Sequence, residues 1–212
     1  MSVRIRAARP SDVREIDRLV QPLAHRQILL GKDLVAYYEA IQEFLVAVDE
    51  NDAVVGCGAL HVMWEDLAEV RTLAVDESQR GTGIGHRMLV TLLGRAAQLG
   101  IHRVFCLTFE VDFFARHGFT VMEGDAVDPE VYAQLLRSPD EGVAEFLDLA
   151  RVKQNTLGNT RMIFEAPAAG HGTELPGTGP SNSAWSGADD PSSADGAEAQ
   201  GTSVADAAEA QG

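Results

Sequence analysis

The 212-residue sequence predicts one α/β domain over residues 1–166, a mixed central β-sheet flanked by helices, followed by an acidic tail over 167–212. Three observations carry this reading. Strand-like and helix-like hydrophobic periods alternate along the chain. The early strands lie close enough in sequence to pair antiparallel, so the sheet is mixed. Three glycines at alternate positions, Gly81, Gly83 and Gly85, stand between a strand and a helix and mark a connection with a bare backbone.

The elements follow in order. "VRIRAA" at 3–8 alternates apolar and polar residues as a half-buried strand does, and Pro10, Ser11 and Asp12 then open a helix carried by Val13, Ile16, Leu19 and Val20. A second helix is expected over 33–42, with Leu34, Tyr37, Tyr38 and Ile41 on one face. Strands at 43–49 and 53–64 flank the polar turn "ENDA" as a hairpin. "EVRTLAVD" at 69–76 is the next strand and runs straight into the glycine loop. Behind the loop Ile84, Met88, Leu92, Ala96 and Leu99 recur at helical spacing, and Gly100 ends that helix. A strand at 102–109, a short helix at 112–118, a strand at 119–122, helical patterns over 128–149 and a last strand at 160–166 complete the domain. The tail is rich in Gly, Ala, Ser and Pro and repeats itself, "ADGAEAQG" at 194–201 returning as "ADAAEAQG" at 205–212, so it is expected to be disordered.

Composition narrows the partners. With 45% hydrophobic and 23% charged residues the chain has ordinary globular composition. The tail from Ala166 onward holds seven acids and no Lys or Arg, and subtracting them from the formal −15 leaves −8 for residues 1–165. Such an acidic surface suits neither nonspecific nucleic-acid binding nor an anionic membrane. No run approaches the roughly 18 to 20 apolar residues of a membrane span, and no leader is read, so a cytoplasmic protein is expected. Cys57 and Cys106 lie in apolar strands and read as buried, reduced thiols.

A bare loop ahead of a helix N-terminus is built for phosphate, because exposed peptide N–H groups and the positive end of the helix dipole converge there. A P-loop would require Gly-Lys-Ser/Thr where Gly85-His86-Arg87 stands, and a Rossmann fingerprint opens its fold and is followed by an acid on the next strand. Here the loop is central and "HRVFCLTF" supplies no acid. The stretch "LAVDESQRGTGIGHRMLVTLL" followed by "FFARHGF" resembles the core of the GNAT acetyltransferase superfamily, whose acyl-CoA motif Arg/Gln-x-x-Gly-x-Gly/Ala is met by Arg80-Gly81-Thr82-Gly83-Ile84-Gly85. "ILLGKDLVAYYEAIQEF", "VVGCGALHV" and "EVRTLAVD" further resemble the amino-acid N-acetyltransferases that make N-acetylglutamate, in a short form without an amino-acid-kinase domain.

That resemblance implies a GNAT fold, acetyl-CoA as co-substrate, no metal, and the first step of arginine biosynthesis with L-glutamate, or L-glutamine, as acceptor. A small-molecule amino acid is the implied partner, and a homodimer the candidate assembly. The N–H groups of Arg80, Gly81, Thr82, Gly83, Ile84, Gly85, His86 and Arg87 would hold the pyrophosphate. The strand edge at Leu73 and Val75 would pair with the pantetheine arm, and the Leu73 N–H would face the thioester oxygen.

Glu69 matches the general-base position of some family members, and strand alternation would set Glu69, Arg71, Leu73 and Val75 on one face unless a bulge disturbs the count. A structural Glu69–Arg71 ion pair is the competing reading. The family's frequent tyrosine acid is replaced by Phe114, with His117 and Tyr132 as weak substitutes. An acceptor with two carboxylates needs cations, for which Lys32 and Arg71 are the candidates, then Arg161 with Asn159. His61 reads as a satisfied core histidine. Acetylation of a protein N-terminus or lysine, and a CoA-binding module without catalysis, are the alternative functions.

Overall fold

The computed structural model describes residues 2–123, 127–138, 147 and 158–166. The chain divides into two units, 1–170 and 171–212, and every described residue belongs to the first. The expectation of a disordered tail, and residues 139–146 and 148–149 of the helical pattern over 128–149, lie outside the described residues.

Seven strands form one sheet among the described residues: β1 (Arg4–Ala7), β2 (Phe44–Val48), β3 (Val54–Val62), β4 (Leu67–Val75), β5 (Arg103–Thr108), β6 (Thr120–Val121) and β7 (Thr160–Glu165). Their order is β1-β2-β3-β4-β5-β7-β6, antiparallel throughout except for the parallel β4–β5 pair. The predicted mixed sheet is therefore present. Its parallel pair requires a crossover, and the long helix α3 (Ile84–Gln98) supplies it.

Alternation in β2 sorts the two cores. Leu45 and Ala47 point toward α3, where Met88, Leu89 and Leu92 are buried against Leu60 and Val70. Val46 and Val48 point to the opposite face, where α1 (Val13–His25) buries Val13, Ile16 and Val20 beside Tyr37 of α2 (Leu34–Glu39). The second helix is shorter than 33–42: it ends at Glu39, and a single 3-10 turn, Ile41–Glu43, leads into β2. A third cluster joins Leu67 and Phe105 to Leu135 of α5 (Pro129–Leu135). The short helix α4 (Val111–Ala115) places Phe114 in the α3-side core.

The entry to α1 is secured by charge. Arg6 Nη1 and Nη2 donate to Asp12 Oδ2 and Oδ1 at 2.6 and 3.0 Å, and the Arg9 N–H donates to Oδ2 at 2.7 Å. The side chains are only 12% and 9% exposed, so the pair is held in a fixed, largely dry geometry. Among the described residues no helix is long and apolar enough to cross a membrane.

Candidate active site

The site begins where two strands part. β4 pairs with β5 only through Leu67, Ala68 and Glu69, then diverges while both strands continue. A cleft of about 1220 Å³ opens along β4, lined by Glu69 to Val75, the glycine loop, Leu107 to Glu110 and the segment Ile28 to Asp33.

Within the splay β4 carries a bulge that overturns the one-face expectation. Ala59 pairs with Arg71 and Cys57 with Ala74, so Thr72 and Leu73 together face Gly58. Two residues against one is the signature of a bulge, and Thr72 takes φ of +57° to make it. Ala59, opposite Arg71, belongs to the α1-side core, whereas Leu73 and Val75 pack against the α3-side core. Glu69 and Arg71 therefore share one face, and Leu73 and Val75 the other.

The glycine loop has the predicted opening, with fewer glycines than expected demanding it. Gly81 (φ +79°) and Gly83 (φ +84°, at the N-cap of α3) occupy left-handed backbone, where a side chain is strained. Gly85 sits on the first helical turn, and an added Cβ would meet the Phe113 ring at 3.7 Å and Val75 Cγ2 at 3.8 Å, both ordinary contacts. The Arg80, Thr82 and Arg87 N–H groups already donate to the carbonyls of Glu77, Gln79 and Gly83. That leaves Gly81, Gly83, Ile84, Gly85 and His86 as the N–H groups without a backbone acceptor in the described residues. The cradle is thus narrower than the Arg80–Arg87 run. Arg87 also sends its side chain away, donating to the Val3 carbonyl at 2.6 Å. His86 adds an imidazole: its Nδ1 lies 2.8 Å from His117 Nε2, and His117 Nδ1 lies 2.7 Å from the Phe113 carbonyl. Since that carbonyl only accepts, His117 Nδ1 donates, and in the neutral ring its Nε2 accepts from His86.

At the other end of the cleft lies a carboxylate. Glu69 is 4% exposed and stands opposite His61 of β3 and Phe105 of β5. Arg71 Nη1 is 3.9 Å from Glu69 Oε2, beyond hydrogen-bond range. Arg71 Nη2 donates to Glu43 Oε2 at 2.8 Å and lies 3.0 Å from His61 Nδ1. Glu43 Oε1 lies 2.9 Å from His61 Nδ1, and since a carboxylate only accepts, that nitrogen donates. Burial pushes the Glu43 carboxyl up, but the His61 hydrogen bond and the Arg71 charge outweigh it and hold the group below its usual range. Glu43 was not singled out in the sequence; as the last residue before an apolar strand it reads as a solvated edge. His61 is the satisfied histidine expected of it.

The remaining candidates divide. Lys32 and Asn159 line the cleft, while Arg161 stands on β7 opposite Leu107 and is not among the lining residues. Arg71 lines the cleft with its guanidinium already on Glu43. Phe114 is buried with edge contacts to Phe113 and Phe119 and has no proton to give. His117 lines the cleft at the glycine-loop end with both nitrogens engaged, and Tyr132 lies on α5, away from the lining. Both cysteines are buried and free, as expected.

Comparison with known proteins identifies the family. Residues 13–119 match the acetyltransferase (GNAT) family. The chain is 56% identical over 162 residues, 76% of its length and 92% of the relative's, to an "Amino-acid acetyltransferase" of Mycobacterium tuberculosis. A crystal structure of a Mycobacterium tuberculosis protein in complex with CoA and a second ligand is 54% identical, covers 77% of this chain and 99% of its own, and superposes with a TM-score of 0.74. The N-acetylglutamate synthase of Neisseria gonorrhoeae, solved with coenzyme A and N-acetyl-glutamate, shares the fold at 24% identity and a TM-score of 0.63 over 79% of this chain and 36% of its own.

Proposed function

We propose, from the premise that this chain belongs to the acetyltransferase (GNAT) family and uses acetyl-CoA, that it transfers the acetyl group to the α-amine of L-glutamate, with L-glutamine as the second acceptor. The product is N-acetylglutamate, and the step is the entry to arginine biosynthesis. The observation that supports this best is one cleft joining three things: phosphate-binding amides, a parted strand edge and a buried carboxylate with Lys32 nearby. The naming of the 56%-identical relative as an amino-acid acetyltransferase supports the acceptor class.

The N–H groups of Gly81, Gly83, Ile84, Gly85 and His86 would hold the diphosphate at the positive end of α3. The open edge of β4 at Leu73 and Val75 would pair with the pantetheine arm as an added strand. Glu69 takes the proton of the acceptor ammonium, through water or directly. The freed amine attacks the thioester carbon, and the carbonyl oxygen becomes an oxyanion facing the Leu73 N–H. The tetrahedral carbon then collapses and the C–S bond breaks, while the remaining extra proton on the nitrogen passes through water to the departing thiolate, since Phe114 replaces the hydroxyl that would otherwise supply one. Lys32 pairs with an acceptor carboxylate, and Arg71 presents positive charge from the cleft wall.

Acetyl-CoA consumption across free amino acids and two peptides tests the reading. L-glutamate or L-glutamine is expected to turn over, and turnover with the peptides alone would reject the acceptor. Lys32→Ala is expected to raise the amino-acid KM about 10- to 100-fold, the value of a charged hydrogen bond, and to leave the acetyl-CoA KM unchanged. Glu69→Gln is expected to lower kcat about 10²- to 10⁴-fold.

A further inference from the structure

Thr72 makes the β4 bulge with φ of +57°, a conformation that a β-branched residue keeps only where its surroundings impose it. The next peptide, between Thr72 and Leu73, carries the N–H that faces the thioester oxygen in the proposed mechanism. Its carbonyl has a partner across the sheet: Cys57 Sγ of β3 donates to the Thr72 oxygen at 3.6 Å. The thiol has a hydrogen to give, because complete burial pushes it up to about 12 against a smaller pull from the Ala74 N–H. The sulfur therefore meets the backbone on both sides of Leu73.

A trans peptide is planar, so its N–H points opposite to its carbonyl. With the Thr72 oxygen turned toward Cys57 on β3, the Leu73 N–H is turned away from β3. In the sheet β4 lies between β3 and β5, and β5 has parted from it beyond Glu69. The side of β4 that this N–H faces is thus the open cleft, which Thr72 and Leu73 line. Cys57 itself stays out of that lining, packed in the α1-side core, so its own place is fixed.

We propose that Cys57 is a positioning residue for acetyl transfer: by holding the Thr72 carbonyl, its thiol fixes the rotation of the Thr72–Leu73 peptide and aims the Leu73 N–H at the thioester oxygen. This rests on the Leu73 N–H being the oxyanion donor. Such a donor works by being aimed before the charge develops, so rotational freedom there costs turnover rather than binding. An S–H···O bond is weak, and the cost is a fraction of the donor's whole value.

The test compares Cys57→Ala with Cys57→Ser in full-length protein. Both take the bulk of the sulfur out of the core, and only serine keeps a donor. In steady-state kinetics Cys57→Ala is expected to lower kcat about 10-fold, short of the about 10²- to 10³-fold that marks an oxyanion donor lost outright. The KM values for acetyl-CoA and amino acid are expected to stay unchanged, and Cys57→Ser to recover most of the rate. The second measurement is the carbonyl stretch of acetyl-CoA, isotope-labelled in its thioester carbonyl and bound without acceptor, by difference infrared spectroscopy. A hydrogen bond to the oxygen weakens the C=O bond, so the wild-type complex is expected to absorb below free acetyl-CoA. Cys57→Ala is expected to return toward the free value and Cys57→Ser to stay near wild type.

Equal losses of kcat in the two variants overturn the proposal, since they share the lost packing and differ in the donor. A wild-type stretch at the free value rejects the Leu73 N–H as the donor, and the role of Cys57 with it. A lowered wild-type stretch that Cys57→Ala leaves in place rejects the role of Cys57 alone. If Cys57→Ala does not fold, Cys57→Val, which fills the space without a donor, takes its place in both measurements.

Discussion

Reactivity at the residue scale follows from burial more than from residue type. Cys57 is fully enclosed, and desolvation pushes its thiol up to about 12; Cys106 is raised by burial and by the nearby Glu69 charge. A thiolate is the reactive form, so neither side chain should attack a reagent near neutral pH. At about pH 8 a thiol reagent added to native protein is expected to titrate neither group on the minutes scale, and both of the chain's cysteines in denaturant. Fast labelling of the folded protein would show that one of these strands opens. This part of the chemistry was legible, because an apolar run on both sides of a cysteine predicts enclosure. Glu43 was not, because its partners His61 and Arg71 lie 18 and 28 residues ahead and meet it only when β2, β3 and β4 align. The Arg71–Glu43 pair was hidden for the same reason: sequence shows a cation near an acid on one strand, and the fold brings a second acid from another.

The strands and helices themselves were largely readable, since β1, α1 and α3 present a period of two or about 3.6, and β2, β3 and β5 are short, near-continuous apolar runs. The bulge in β4 was not, for nothing in "EVRTLAV" says which residue the neighbouring strand leaves unmatched. Its cause sits on the neighbouring strand, where Gly58 leaves room for Leu73: a Cβ there would lie 3.0 Å from Leu92 Cδ1 and 3.1 Å from Leu73 Cδ1. Two glycines therefore serve different ends of the cleft, and substitutions should separate them. At Gly83 nothing lies within 4 Å of an added Cβ, so Gly83→Ala costs only left-handed strain, about 1–2 kcal/mol. Its effect is expected on the acetyl-CoA KM, because the loop relaxes away from the geometry that aims its N–H groups. Gly58→Ala overpacks the core by about 1–3 kcal/mol and displaces Leu73. Its effect is expected on kcat, through the Leu73 N–H, with the acetyl-CoA KM little changed. Steady-state kinetics on the two variants checks both, and the reverse assignment would contradict the placement of Leu73 at the reacting end.

The whole molecule is acidic, and its stability in acid is governed by the few carboxylates that folding places against cations. The Arg6 hydrogen bonds hold Asp12 below its usual range despite the desolvation that opposes them. Asp66 and Glu43 are pushed up by desolvation but held down on balance, by Arg103 and by His61 with Arg71 respectively. Asp76 is lowered by Ser78 and Arg18. A carboxylate depressed in the fold binds fewer protons there than in the unfolded chain, so stability rises with pH between the two values. The contribution is complete above the unfolded values of about 3.9 to 4.3 and is lost as pH falls through the folded ones. The melting temperature is therefore expected to be flat from about pH 7 to about pH 5 and to fall below about pH 4. Asp66 and Asp76 are about a quarter exposed and partly screened, so the enclosed Arg6–Asp12 pair should dominate. Asp12→Asn leaves Arg6 buried without its counter-charge, which costs about 3–5 kcal/mol at neutral pH. Because that variant has no Asp12 proton to take up, its melting temperature should also fall less steeply in acid, converging on the wild type near the bottom of the range. Thermal unfolding of both proteins across this range decides the matter, and parallel curves at all pH values would move the acid lability from the β1–α1 junction to the other depressed carboxylates.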